Sequence, residues 1–261
     1  MKEKALHLHS KAGFTLVEMS IVLVVIGLLA GGVMAGKNLI RAAELRSVVN
    51  EYDLYTKAVI TFRDRYGELP GDMSNATSVW GTAVNCPGTS AQGSTDALTC
   101  NGNGNGMIEY GVATGNEWFR FWQQLANAGL IEGIYSGVPG PATTYQALVG
   151  SNVPKSKLSF SGWTTRWLGS FGDAWFYTMD YKNTLIFGAE SGNNQTFNQI
   201  ISAAEIGSMD TKIDDGKPGY GKMISIWWDT CTDATGTTDL DSVYLLSDQG
   251  NHCSIAFANV F

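Results

Sequence analysis

An apolar run begins at Phe14 and contains a single charged residue: FTLVEMSIVLVVIGLLAGGVMAG, residues 14–36. At about 1.5 Å per residue, a helix of this length crosses the roughly 30 Å hydrocarbon core of a bilayer. A basic segment ending at Gly13 precedes it, whereas an ordinary secretory signal has its small-residue cleavage site after the apolar stretch. Cleavage at Gly13 leaves the helix in the mature protein. The sequence therefore predicts a retained membrane helix over residues 14–36.

The one charge in this run is the carboxylate of Glu18. A carboxylate inside an apolar helix is costly and requires a partner or a function. The alternative is that Glu18 lies near the membrane interface, where water hydrates it.

The string Gly13-Phe14-Thr15-Leu16-Val17-Glu18, followed by the apolar helix, resembles the type IV prepilin signature. The resemblance implies that a prepilin peptidase cleaves after Gly13 and methylates the new N-terminal amine of Phe14. It also implies that Glu18 meets the N-terminal amine of a neighbouring subunit during assembly. Type IV pili, competence pili and type II secretion pseudopili share this signature, which covers only the N-terminal quarter of the chain.

On this resemblance, residues 1–13 are a leader and the precursor crosses the inner membrane once. The mature chain then joins copies of itself and other pilins in a helical filament at the cell surface, with an inner-membrane assembly platform as a further partner. We expect a structural subunit, either a major pilin or a large minor pilin. The alternatives are a type II secretion pseudopilin and a tip-located minor pilin that acts as an adhesin.

A second apolar pattern follows the membrane segment and extends the predicted helix over residues 14–66. Its members recur at spacings of three and four, which is typical of one helical face. They are Leu45, Val48, Tyr52, Tyr55, Val59, Phe62 and Tyr66. Charged residues, among them Glu51, occupy the other faces, and Gly67 and Pro70 end the helix. This amphipathic half is expected to pack on a globular domain.

Residues 67–261 are predicted to form that domain, with a loop-rich insertion at 67–170 and a β-sheet region at 171–261. A second helix is expected from Asn116, as its N-cap, to residue 125, and another near 198–208. Strands are expected at 174–179 and 184–187, which would form a hairpin, and at 223–228, 242–247 and 254–260. The fold class is therefore α+β: a long N-terminal helix on an antiparallel sheet, like a type IV pilin.

Four cysteines allow three pairings, and the sequence does not choose among them. They fall into two close pairs, and we expect two local disulfides in an oxidising compartment. The pairs are Cys86 with Cys100 and Cys231 with Cys253. The alternative is four buried thiols, and the lack of C-x-x-C spacing disfavours zinc.

The stretch NGNGNGMIE, residues 101–109, has oxygen-bearing side chains at positions 1, 3 and 5 and glycine at 6, as calcium loops do. The candidate ligands are Asn101, Asn103, Asn105 and Glu109. The alternative is a plain Asn-Gly turn loop, because asparagines replace aspartates and Val112 replaces the closing acid. Two further acidic groups are weaker candidates. The first, Asp210, Asp214 and Asp215, is interpreted as a solvated helix end, and the second comprises Asp229, Asp233, Asp239 and Asp241.

Composition argues against two other classes of function. A net charge of −7 repels phosphate backbones and disfavours general nucleic-acid binding. After removal of the leader His252 is the remaining histidine, and if the adjacent Cys253 forms a disulfide it cannot serve as a nucleophile. We therefore expect no enzyme and no required cofactor. Among eight tryptophans, those at 80, 163 and 167 lie in predicted loops and are candidates for surface binding.

Overall fold

The computed structural model describes residues 14–84, 86, 96–111 and 116–261. The predicted leader, including Gly13, and Val112 lie outside these residues. The chain divides into two compact units, residues 1–44 and 45–261. Helix α1, Leu16–Tyr66, begins in the first unit and ends in the second.

The second unit contains five helical segments and six strands within the described residues, counting the end of α1. The other helices are α2 (Ala76–Trp80), α3 (Glu117–Asn127), α4 (Ala203–Ile213) and α5 (Trp228–Cys231). The strands are β1 (Ser161–Trp167), β2 (Ser170–Phe171), β3 (Met179–Asp180), β4 (Asn183–Ala189), β5 (Met223–Ile226) and β6 (Ser254–Phe257). Four strands form one antiparallel sheet in the order β1-β4-β6-β5, and β2 pairs with β3.

The amphipathic half of α1 packs against this sheet, as the apolar spacing predicts. Tyr52 stacks on Phe257 of β6 with ring centroids 4.0 Å apart. Tyr55 makes edge contacts with Trp122 of α3 and Trp163 of β1. The other predicted stripe members are buried or partly buried in the same core. These contacts confirm the α+β architecture of a long N-terminal helix on an antiparallel sheet.

Glu51 departs from the predicted pattern because it is buried rather than on a solvated face. Its two carboxylate oxygens accept hydrogen bonds from the Trp163 side chain and the Lys157 backbone N–H. Both donors are more than a hundred positions away in sequence, so helical periodicity carries no signal for this burial.

Helix α3 lies where the sequence predicts it, but it is buried on every side from Glu117 to Leu125. Asn116 occupies the N-cap position in the left-handed region, at φ 63°, and its side chain makes no capping bond. Helix α4 is displaced towards the C-terminus from the predicted 198–208. A capping box between Ser202 and Glu205 fixes its start, which is the sequence signal that determines this boundary.

Two strand predictions and the predicted start of the sheet region are wrong. Residues 174–178 form a turn, because the Asp173 carboxylate accepts the backbone N–H groups of Trp175 and Phe176. The predicted hairpin partner of this run, β4, pairs with β1 instead. In the predicted strand 242–247, the one ladder contact is an isolated bridge from Tyr244 to Thr232. The main sheet begins inside the predicted insertion, at Ser161. Four small or polar residues of β1 are buried there with Trp163, a composition that gives little strand signal in the sequence. The sheet region therefore starts about ten residues before the expected boundary.

Candidate functional site

The N-terminal part of α1 exposes its apolar side chains. Every described residue from Phe14 to Ile40 is exposed except Gly36, which is half-buried. Large apolar residues such as Leu16 and Leu28 expose 87% and 73% of their surface. A Cβ added at Gly27, Gly31 or Gly32 would meet no atom within 4 Å. Such a helix is long and apolar enough to cross a membrane. By itself, the first unit leaves this whole surface available to lipid or to other helices.

A reciprocal pair of hydrogen bonds begins the helix. The Glu18 carboxylate accepts from the Thr15 backbone N–H at 2.8 Å and from the Thr15 hydroxyl at 2.7 Å. The Glu18 N–H in turn donates to the Thr15 hydroxyl oxygen at 3.2 Å. This is a capping box, which supplies partners for backbone N–H groups at the helix start. Within the described chain Glu18 forms no ion pair, so its negative charge is not neutralised.

The exposed part of α1 and its Glu18 carboxylate lie in a segment that matches a known sequence motif. Residues 8–34 match the prokaryotic N-terminal methylation motif. This is the prepilin-type motif of type IV pilins and pseudopilins, and the chain carries it in its N-terminal segment. The motif implies processing by a prepilin peptidase and assembly with other pilins. No curated protein and no solved structure matches the chain.

The motif ends well before the second unit, whose described cysteines form two disulfides. Cys86 pairs with Cys100, and Cys231 pairs with Cys253. Both local pairings agree with the sequence prediction. Since Cys253 is oxidised, it offers no thiolate nucleophile beside His252. The His252 Nδ1 instead lies 2.5 Å from the Asp248 carboxylate, in a turn.

The Asn-Gly loop 101–109 surrounds carboxylates from elsewhere in the chain. Asp72 accepts the backbone N–H groups of residues 104, 105 and 106. Glu117 accepts those of Asn103 and Glu109. Five backbone donors of the loop therefore point towards two acidic side chains. Hydrogen bonds from its backbone N–H groups to Asp72 and Glu117 therefore hold the loop in place. Nothing in the Asn-Gly motif itself predicts that these two acids lie there.

The predicted calcium ligands of this loop also have hydrogen-bond partners. Oxygens of Asn101, Asn103 and Asn105 each accept a backbone N–H, from Thr77, Asn105 and Met107 respectively. The side-chain amides of Asn103 and Asn105 both donate to Glu109 Oε2, at 2.9 and 2.7 Å. The Asn side chains are thus used to shape the turn. Calcium binding at this loop stays a prediction.

Burial dominates the electrostatics of the two acids inside the loop. Burial raises the pKa of Glu117 to about 8, and the charges of Asp72 and Glu109 act in the same direction. Burial also raises the pKa of Asp72, although its three N–H partners oppose the change. These acids therefore sit in an environment that disfavours two negative charges together.

Aromatic side chains are distributed differently from the prediction. Trp163 is completely buried in β1, so it is not the surface candidate that the sequence suggests, whereas Trp175 exposes 37% of its surface. Trp80 and Trp167 are half-buried. A partly exposed cluster forms where the ring centroids of Tyr110 and Tyr145 lie 4.8 Å apart.

Of the acidic groups, the one comprising Asp229, Asp233, Asp239 and Asp241 does not gather around one point. Asp233 accepts the Val243 N–H, and Asp239 accepts from Thr235. Asp241 instead pairs with the Lys217 side chain at 3.6 Å. In contrast, Asp210 and its neighbours do converge, and Asp210 is completely buried. The interpretation of that group as a solvated helix end is therefore wrong for Asp210.

Proposed function

We propose that this chain is a structural subunit of a type IV pilus-like filament, processed after Gly13 and assembled through residues 14–36. The observation that carries the proposal is the continuous exposure of apolar side chains in the segment that matches the methylation motif. Such a surface is stable in water only when lipid or other helices cover it. A bilayer covers it before assembly, and equivalent helices of neighbouring subunits cover it in the filament.

Glycine residues on this helix support packing between subunits. Gly27, Gly31, Gly32 and Gly36 lack side chains, which allows the backbones of adjacent helices to approach closely. A Cβ at each of them would meet no atom of the described residues within 4 Å, so no contact in that part of the chain requires glycine there. Contacts with neighbouring helices give these residues a role.

Glu18 supports the same assembly for an electrostatic reason. Its carboxylate makes hydrogen bonds only to Thr15 and has no cationic partner in the described chain. Cleavage after Gly13 gives Phe14 a free amine. Pairing of that amine with Glu18 of an adjacent subunit neutralises two charges in an apolar surrounding, where an unpaired charge is costly. The proposed roles are therefore cleavage at Gly13, methylation at Phe14 and docking at Glu18.

The first experiment is mass spectrometry of protein sheared from the cell surface, with the N-terminal peptide sequenced directly. We expect a peptide beginning with N-methylated Phe14, and we expect Gly13→Ser to abolish it. Unprocessed chains in normal surface filaments would overturn the proposal. A processed chain that stays in the envelope, and whose deletion stops protein export, would instead identify a secretion pseudopilin.

A second experiment separates the two roles available to Glu18. Glu18→Ala removes both the capping interaction and the charge, whereas Thr15→Val removes the two hydrogen bonds of the Thr15 hydroxyl and keeps the Thr15 backbone bond and the charge. Helix capping is worth about 1 kcal/mol, a small loss for a helix held in a bilayer. We therefore expect Thr15→Val to assemble and Glu18→Ala to remain in the membrane. Equal defects in the two variants would show that Glu18 acts through capping alone.

A further inference from the structure

Three carboxylates meet where helix α4 ends and the chain turns towards β5. They belong to Asp210, Asp214 and Asp215, and one oxygen from each lies within 4.8 Å of the other two. Their exposure increases along the chain: Asp210 is buried, Asp214 is half-buried and Asp215 is exposed. The cluster therefore has a buried end and an end that is open to solvent.

Asp210 brings an unpartnered oxygen to the buried end. Its residue exposure is 0%, and its Oδ2 accepts a 2.8 Å hydrogen bond from the Tyr244 hydroxyl. The other oxygen, Oδ1, is buried and has no hydrogen-bond partner. The nearby Gly216 N–H is close enough to affect this carboxyl but falls outside hydrogen-bonding geometry. A buried carboxylate oxygen without a partner costs free energy, so it requires an explanation.

Protein cations do not provide that explanation. In the part of the chain that the structure describes, none of the three carboxylates forms an ion pair. Two basic residues lie close in sequence. Lys212, between Asp210 and Asp214, forms no ion pair with any of the three within the described residues, and Lys217 pairs instead with Asp241. Three acidic side chains are thus held together without a compensating positive charge.

The surrounding loop holds the cluster in this arrangement. Asp214 Oδ2 accepts the backbone N–H groups of Lys222 and Met223, the latter at 3.1 Å. Asp215 Oδ1 accepts the Lys217 N–H at 2.8 Å. Gly221 lies so close that a Cβ there would collide with the Asp214 carboxylate, and its φ of +78° also requires glycine. The two exposed-side ligands are therefore positioned by backbone contacts.

We propose that Asp210, Asp214 and Asp215 bind a calcium ion at the end of α4. Calcium takes oxygen ligands at about 2.3–2.6 Å, so two ligands on opposite sides of one ion lie about 5 Å apart. The observed spacing of the three carboxylates falls within this limit. The ion supplies the missing partner of Asp210 Oδ1, and water reaches the remaining coordination positions from the Asp215 side.

The ligand chemistry favours calcium over other common cations. An all-oxygen, carboxylate-rich site suits calcium or magnesium, whereas zinc prefers His and Cys ligands. Calcium tolerates irregular geometry and backbone-rich loops, while magnesium demands near-octahedral geometry and loses water reluctantly. Burial, with smaller contributions from the charges of Asp215 and Asp214, raises the pKa of Asp210 to about 7. A divalent cation relieves the repulsion between these carboxylates.

The test uses the full-length chain in detergent micelles, with calcium as the probe in thermal unfolding. An ion that binds only the folded state at a hundredfold excess over its Kd raises Tm by about 5–10 °C in a domain of this size. We expect that rise with calcium and a smaller one with equimolar magnesium. Terbium offers a second readout, because Tyr244 contacts Asp210 and can sensitise emission from an ion bound there.

Three single variants localise the ion. Asp215→Asn changes an exposed residue, and the new amide oxygen can still accept the Lys217 backbone N–H, so the variant folds while losing a charged ligand. Asp210→Asn alters the buried ligand. Asp229→Asn, an exposed acid outside the cluster, is the charge-matched control. We expect at least a tenfold weaker calcium affinity in the first two and no change in the control. The proposal is overturned if about 10 mM calcium, above the usual range of weak extracellular sites, leaves wild-type Tm unchanged. It is equally overturned if Asp215→Asn and Asp210→Asn keep wild-type affinity, which would place the ion elsewhere.

Discussion

The indole N–H of Trp163 donates a 2.8 Å hydrogen bond to Glu51 Oε2, joining strand β1 to helix α1. The second carboxylate oxygen of Glu51 accepts the Lys157 backbone N–H at 2.9 Å. Both oxygens of a buried acid are therefore used to connect the amphipathic half of α1 to the segment that leads into β1. An apolar side chain in place of Glu51 would leave two buried donors without acceptors.

Glu51→Ala is expected to lower the free energy of unfolding of residues 45–261 by about 2–4 kcal/mol, because it leaves two donors unpaired. Asp53→Ala is the matched control, since Asp53 is an exposed acid on the same helix, and we expect a change within about 0.5 kcal/mol. Denaturant unfolding measures both. A loss in Asp53→Ala equal to that in Glu51→Ala would show that helix charge, rather than this contact, matters.

Gly102→Ala is expected to destabilise the second unit. A Cβ at Gly102 would lie 2.4 Å from the backbone Cα and carbonyl carbon of Asp72, neither of which can move away alone. Overpacking of this kind costs about 1–3 kcal/mol. Gly236→Ala is the control, because a Cβ there meets nothing within 4 Å. Thermal melts that show the same Tm for both variants would contradict the close approach of the loop to Asp72.

Local sequence patterns were sufficient to predict the parts of the fold that depend on residues close together in the chain. The spacing from Leu45 to Tyr66 predicts the buried face of α1, and the two close cysteine pairs predict both disulfides. Helix α3 begins directly after the predicted N-cap, Asn116. Each of these features involves residues near one another in the chain, where sequence patterns are most informative.

Features that depend on distant partners could not be predicted in this way. The run 174–178 has strand-forming residues, but the Asp173 carboxylate turns the chain and a different segment, β1, occupies the place beside β4. The burial of Glu51 depends on Trp163, and the shape of loop 101–109 depends on Asp72 and Glu117. The convergence of Asp210 with Asp214 and Asp215 likewise becomes visible only when the end of α4 is built.

Removal of the Cys231–Cys253 disulfide is expected to cost about 3 kcal/mol, because the bridge closes a loop with a sequence separation of 22. The double variant Cys231→Ala/Cys253→Ala avoids a lone thiol. Both cysteines are buried in the main core, and Cys253 exchanges backbone hydrogen bonds with Ile201. Urea unfolding of residues 45–261 measures the loss. Equal free energies of unfolding for the oxidised wild type, the reduced wild type and the double variant would contradict a stabilising role for this disulfide.

Glu117 predicts an unusual dependence of stability on pH. Its pKa is raised from the ordinary value of 4.5 to about 8, mainly by burial. Between these values the unfolded chain has released this proton while the folded chain retains it, so a rise in pH favours the unfolded state. The contribution of Glu117 to stability is complete below about pH 4.5 and is lost as pH rises towards 8. The raised pKa of Asp72 acts in the same direction.

Glu117→Gln removes this titration, because an amide at the same position has no proton to lose in this range. We expect the Tm of the variant to fall less than that of the wild type between pH 5 and pH 8, the window set by the raised pKa. Glu132→Gln, at an exposed position, is expected to keep the wild-type slope. A Glu117→Gln profile parallel to the wild type would mean that Glu117 is ionised throughout, held by the N–H groups of Asn103 and Glu109. Stability would then increase with pH near the acid limit instead, because those two hydrogen bonds favour the charged carboxylate.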